Sequence, residues 1–247
     1  MDSVVAGHPA PLDSSPPSPV SRWRWAAALL LGTTLWFAAL IASEVVPQVV
    51  LGMELQGPTY ALVGVIRAVL GLAAVAVALR LVDLRLRDVG LTSTRWRTEA
   101  ALGAAVAVAF ALVQFLAVIP NTGGAARSDV VANAAQIGGS IWGVFGFVVL
   151  AWTGALSEEV FFRGHFLTTL RSLLGASRAS LVAAVVATVV LFAAGHGYQG
   201  WAGIVDTGLY GGLTLTLLYL WRGQLTACIV AHALWNTLAA VAIFLWY

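Results

Sequence analysis

Residues 141–162 read IWGVFGFVVLAWTGALSEEVFF, and from Ile141 to Ser157 no side chain is ionisable. A helix needs ~20 mostly apolar residues to cross a bilayer. This stretch supplies them and then breaks the pattern with two adjacent glutamates. Beyond it, Phe166–Leu174 keeps a helical apolar spacing, which predicts that the helix runs on to about Leu174. Six more stretches share the apolar character: Trp25–Ala42, Thr59–Leu81, Ala100–Ile119, Leu181–Gly195, Gly203–Trp221 and Thr226–Trp246. No repeat of fixed period is visible. The expected fold is all-α: one polytopic transmembrane bundle of about seven spans (six to eight).

The composition of the whole chain agrees. Of 247 residues, 60% are apolar and only 10% are charged, against about 25% charged in a soluble domain. So few charges cannot cover the surface of a soluble globule. A cytosolic enzyme, a disordered protein and a nucleic-acid binder are thereby excluded, and the solvent is lipid. All thirteen basic residues are Arg, and with abundant Ala, Val, Gly and Leu this bias points to a GC-rich, bacterial source and a plasma membrane. The one cysteine, Cys228, excludes an internal disulfide and a multi-thiolate zinc site.

Residues 1–22, rich in Pro and Ser, are expected to form a disordered cytoplasmic tail without the layout of a cleaved signal peptide. Residues 23–140 read as scaffold spans and 141–247 as the spans carrying chemistry, together forming one membrane domain. With the N-terminus inside, eleven arginines fall on inner segments and only Arg127 on an outer one; Arg67 lies within the second span. That asymmetry fixes the orientation and, with no basic residue at the C-terminus, calls for an odd number of spans.

Ionisable groups inside spans cost roughly 2.5–3.5 kcal/mol each on insertion scales and mark function by default. Here they are Arg67, Glu158, Glu159, Arg163, His196, Asp206 and His232, joined by Asn236. Glu159 and Arg163 are four apart and share a helix face, with the acid on the favourable N-terminal side. Glu158 points ~100° away and has no local partner. An unpaired carboxylate in a low-dielectric site suits a general base. His232 and Asn236 also share a face, and His196 ends the fifth span. Each group alone has a plain structural reading: an interfacial ion cluster, an interfacial imidazole, a hydrogen bond between helices. Together they supply a base, two imidazoles and a carboxamide, the parts for peptide hydrolysis. A serine elbow, an aspartyl dyad and a zincin helix are all missing, and Ser157 lacks the flanking glycines of a nucleophile.

The order Glu158-Glu159-x-x-x-Arg163, Phe192-x-x-x-His196 and His232-x-x-x-Asn236 resembles the CPBP (Abi) family of CAAX-type intramembrane endopeptidases, which includes the type II CAAX prenyl proteases. The resemblance covers about residues 141–240. It implies that Glu158 is the water-activating base, His196 its catalytic partner, and His232 with Asn236 the oxyanion site. Glu159 and Arg163 would support them. Two cofactor readings stay open: none for a glutamate mechanism, or Zn2+ held by Glu158, His196 and His232. The implied substrate is a peptide or a membrane-protein tail, and the partners are that substrate and the bilayer, without nucleic acid.

Two other readings remain open from the residues: a catalytically silent scaffold or immunity protein, and a small transporter or proton pathway through Asp206 and Tyr210. Arg67 either partners an acid or snorkels. If the fourth span stopped at Phe162, Glu158 and His196 would lie ~27 Å apart across the membrane, so a single site requires the longer helix. Gly195 and Ala231, beside the histidines, are expected to let helices approach closely.

Overall fold

A computed structural model describes residues 20–246. Most of the tail expected over residues 1–22 lies outside the described residues. Eight helices of eight residues or more organise them: α1 (Arg22–Val50), α2 (Thr59–Arg80), α3 (Trp96–Asn121), α4 (Ser128–Ile137), α5 (Ile141–Leu174), α6 (Arg178–Ala194), α7 (Gly197–Arg222) and α8 (Thr226–Trp246). Six are long and apolar enough to cross a membrane, and α6 is a shorter apolar helix. The protein is a polytopic helical bundle of about seven spans. The start of α7 lies six residues before the apolar run that announced it, because polar residues continue a helix that hydropathy alone ends.

Apolar surface gains nothing from leaving lipid, so the helices associate through close backbone approach and interhelical hydrogen bonds. Gly64 and Gly71 of α2 lie against Leu150, Thr153 and Ser157 of α5, where added β-carbons would collide. Gly103 of α3 does the same against Ala227 and Ala231 of α8. Ala231 therefore meets the expectation for close contact. Gly195 does not: a β-carbon there would meet nothing nearer than the Phe192 carbonyl at 3.5 Å. Trp36 of α1 stacks on Phe161 of α5 with ring centroids 4.1 Å apart, and its Nε1 donates to Ser157 Oγ at 3.1 Å. The indole thus satisfies its one donor while burying its ring.

The helix α5 runs unbroken from Ile141 to Leu174, as the apolar spacing predicts. Its middle, Val160–Leu167, is a π-helical segment, a form often found at functional sites. The great length places Glu158 deep in the bundle rather than at an end. At one end of the bundle the 81–95 connection is built into the fold: Tyr219 Oη donates to the Val89 carbonyl at 3.1 Å, and Leu225 N to the Gly90 carbonyl at 2.9 Å. Gly223, at φ +67°, takes the left-handed conformation that closes α7. The fully buried Glu99 accepts from Arg222 Nη2 at 2.7 Å beside it. The opposite end is covered by α4, whose Val130 and Ile137 pack with Val144, Ala240 and Ile243.

Candidate active site

Glu158 and Glu159 close the α-helical part of α5 and have opposite surroundings. Glu159 is fully buried; its Oε1 accepts from Arg163 Nη1 at 3.0 Å and from His232 Nδ1 at 2.8 Å. Arg163 is fully buried too, and its Nη2 donates to the carbonyls of Gly211 and Gly212. Its guanidinium also stands over the Phe192 ring, 4.8 Å from the centroid. Gly211 and Gly212 lie in a π-helical stretch of α7, and a side chain at 211 would collide with Phe192. Bare backbone is what lets the arginine reach these carbonyls.

Glu158 faces a cavity of about 190 Å³. Its Oε2 has no hydrogen-bond partner among the described residues and lies 3.9 Å from His232 Nε2. Its Oε1 lies 3.9 Å from Arg67 Nη1. Both separations exceed hydrogen-bond length, and a water can bridge such gaps. Along its own helix Glu158 is indeed unpaired, but α2 brings Arg67 to it across the bundle. Arg67 also donates to Glu44 Oε1 at 3.0 Å, which settles it as a partner of acids.

The two imidazoles have fixed orientations. A carboxylate only accepts, so His232 Nδ1 carries the proton shared with Glu159 and Nε2 turns toward Glu158. A carbonyl also only accepts: His196 Nδ1 therefore donates to Phe192 O at 2.8 Å, which leaves Nε2 open. The Phe192 ring touches both imidazoles, with centroids 4.8 Å from His196 and 5.9 Å from His232. Glu158, His196, His232 and Asn236 all line the one cavity. Glu159 and Arg163 lie behind it.

The zinc set allowed by the sequence is not gathered. Among the described residues no three His, Cys, Asp or Glu side chains are grouped to hold a metal ion. No chemical step is therefore routed through a metal here.

Ser157, Asp206 and Tyr210 have structural partners. Ser157 accepts from Trp36 and donates to the Arg67 carbonyl at 3.3 Å, so its hydroxyl is engaged. Asp206 accepts from Arg127 Nη2 at 2.8 Å, and Arg127 also binds Asp129. Tyr210 donates to the Ala231 carbonyl at 3.0 Å. The proposed relay from Asp206 to Tyr210 is thus not assembled. Burial works against the charge on Arg127, but its bonds to Asp129 and Asp206 outweigh that and hold its pKa above the ordinary arginine value.

Sequence reasoning misses His165, which is fully buried against Gly32 of α1. The signal was an imidazole two residues beyond Arg163. It also misses Glu44, placed by its charge at the end of α1, and all of α4.

An all-helical membrane bundle with a carboxylate turned into an internal cavity, and an acid–guanidinium–imidazole chain behind it, defines the class: an integral membrane protein with acid–base groups inside the bundle. Residues 140–238 match the family model for type II CAAX prenyl endopeptidase Rce1-like proteins. The match supports the CPBP/CAAX protease family and, with it, an intramembrane protease of the CAAX type. The match takes in every residue from Glu158 to Asn236 discussed above and leaves α1–α3 outside it. No curated protein and no solved structure matches the chain.

Proposed function

We propose that the protein hydrolyses a peptide bond inside its membrane cavity with a water activated by Glu158. The observation that carries this reading is the contrast between the two acids. Glu159 lies behind the cavity with its Oε1 held by both Arg163 and His232, whereas Glu158 lines the cavity with no hydrogen bond to either neighbour, its Oε2 3.9 Å from His232 Nε2.

In this scheme Glu158 takes a proton from water as the oxygen attacks the carbonyl carbon. The carbonyl electrons move onto oxygen, where His232 Nε2–H and the Asn236 amide donate to them. Glu159 behind His232 favours the charged ring that such donation needs. The proton then passes to the leaving amine as the C–N bond breaks, with His196 Nε2 as the companion group at the cavity wall. Residues 23–140 serve as scaffold, and α2 contributes Arg67. The substrate is a peptide or membrane-protein tail, met in a bacterial plasma membrane with the N-terminus of the chain inside.

The test is turnover of quenched-fluorophore peptides by purified protein in lipid. Glu158→Gln is expected to lower turnover by roughly 10²–10⁴-fold while the thermal unfolding midpoint stays put. Robust turnover by that variant overturns the assignment. Zinc content and EDTA sensitivity, measured on the same preparation, are expected to show no stoichiometric metal and no inhibition; tightly bound zinc with EDTA-sensitive turnover overturns the glutamate route.

A further inference from the structure

The cavity wall holds polar groups that the reaction does not use. Gln114 of α3 is 4% exposed, lines the cavity and makes no side-chain hydrogen bond among the described residues. Asn133 and Gln136 of α4 line the same cavity and likewise have no side-chain hydrogen bond there. A side chain that is mostly buried but opens its unpaired amide onto a cavity is placed to hydrogen-bond what enters it.

Their positions follow from the helix packing. Helices α3 and α8 begin side by side, where Leu225 N donates to Gly90 O and Thr226 Oγ1 to Thr92 O. Gly103 of α3 faces Ala227 and Ala231 of α8, and both helices run the same way. Gln114, about three turns beyond Gly103, therefore comes level with Ala240. Helix α4 sits at that level as well, since Val130 and Ile137 pack with Ala240 and Ile243. From His232 to Asn236 to the level of Ala240 is about 6 Å per step. The carboxamides thus run in file from the reacting centre toward the α4 end.

We propose that Gln114, Asn133 and Gln136 bind the main chain of an extended peptide and lead its scissile bond to Glu158, an inference that rests on the protease reading above. A carboxamide offers the donor and acceptor of a peptide unit, so it pairs with main chain whatever the side chains are. A peptide in a membrane cavity without its own helix must find partners for every N–H and C=O. An extended chain advances ~3.3–3.6 Å per residue, so the roughly 12 Å from His232 to the level of Ala240 holds three or four residues. Phe115, Phe147 and Trp235 line the same cavity and provide apolar surface for side chains. The three amides carry no charge, so what they recognise is the main chain of an extended peptide rather than its side-chain sequence.

The experiment uses full-length protein in lipid nanodiscs and a set of twelve-residue Ala/Leu/Val peptides with a quenched fluorophore. A matched set replaces single peptide N–H groups by ester oxygens. Gln114→Met, similar in size, is expected to raise KM roughly tenfold and to change kcat less than threefold. On the ester whose missing N–H faces Gln114, the variant and the wild type should have the same KM. An unchanged KM, or an equal loss on every ester and amide, overturns the proposal. Fluorescence anisotropy of the labelled peptides on the Glu158→Gln background separates the two readings. Binding that Gln114→Met weakens supports the amide file even if no peptide is cut, which would count against the protease reading alone. Binding that ignores Gln114 overturns the amide file even if Glu158-dependent cleavage is robust.

Discussion

Two neighbouring carboxylates with one chemical formula are put to different uses by one hundred degrees of helix rotation. Glu159 neutralises Arg163 in a place where neither has any exposure. Glu159→Gln leaves that guanidinium charged, with only carbonyls to face, and is expected to cost ~3–5 kcal/mol, measured as denaturant unfolding in detergent. Glu158→Gln should cost far less, because Glu158 borders open space; equal losses would remove the distinction. The Glu159–Arg163 pair is legible in the sequence because a helix places residues four apart on one face. The bond from Glu159 to His232 is not, since it spans 73 positions and no local spacing encodes it. Arg67 shows the same limit: its charge marks it out, but its acids come from α1 and α5.

Helices here are held in register by missing side chains. At Gly103 an added β-carbon would strike the Ala227 carbonyl and come within 3.1 Å of Ala231 N. These are backbone atoms, which cannot swing aside. Gly103→Ala is expected to cost about 1–3 kcal/mol and to lower turnover by moving His232 and Asn236 away from Glu158. Gly195→Ala, where the nearest atom is 3.5 Å away, should behave as wild type in the same unfolding and turnover assays. A harmless Gly103→Ala would show that α3 and α8 do not depend on this contact. The spans were legible because twenty apolar residues leave few alternatives. Helix α4 was not, since ten amphipathic residues between two spans fall below what hydropathy detects. Its apolar positions Val130 and Ile137 acquire meaning only once Ala240 and Ile243 stand opposite.

Orientation belongs to the molecule as a whole, because it depends on the distribution of arginines among all the connections. Ten of thirteen arginines fall on one set of connections and helix ends, including the 81–95 connection, while Arg163 is buried within α5. Positive charge stays in the cytoplasm, so a cysteine introduced at Thr94 should resist an impermeant thiol reagent applied to intact cells and react after lysis. Cys228 is buried and contributes no background. Labelling from outside would invert the topology. The sequence supports this argument through composition alone, but it leaves the cavity unseen: the depth of Glu158 depends on α5 being 34 residues long, and only the apolar run Phe166–Leu174 hints at that.

Against α5 stands α6, half as long. Its 17 residues rise only about 25 Å, short of the ~30 Å hydrocarbon core of a bilayer. Val182, Val186 and Val190, one turn apart, form its exposed face. Lipid along that face suffers hydrophobic mismatch and has to thin to meet it. Headgroups are then expected to dip on the flank where the helix stops short, beside His196. A reaction that consumes water would thus have its supply brought down to it by the shape of the surrounding membrane.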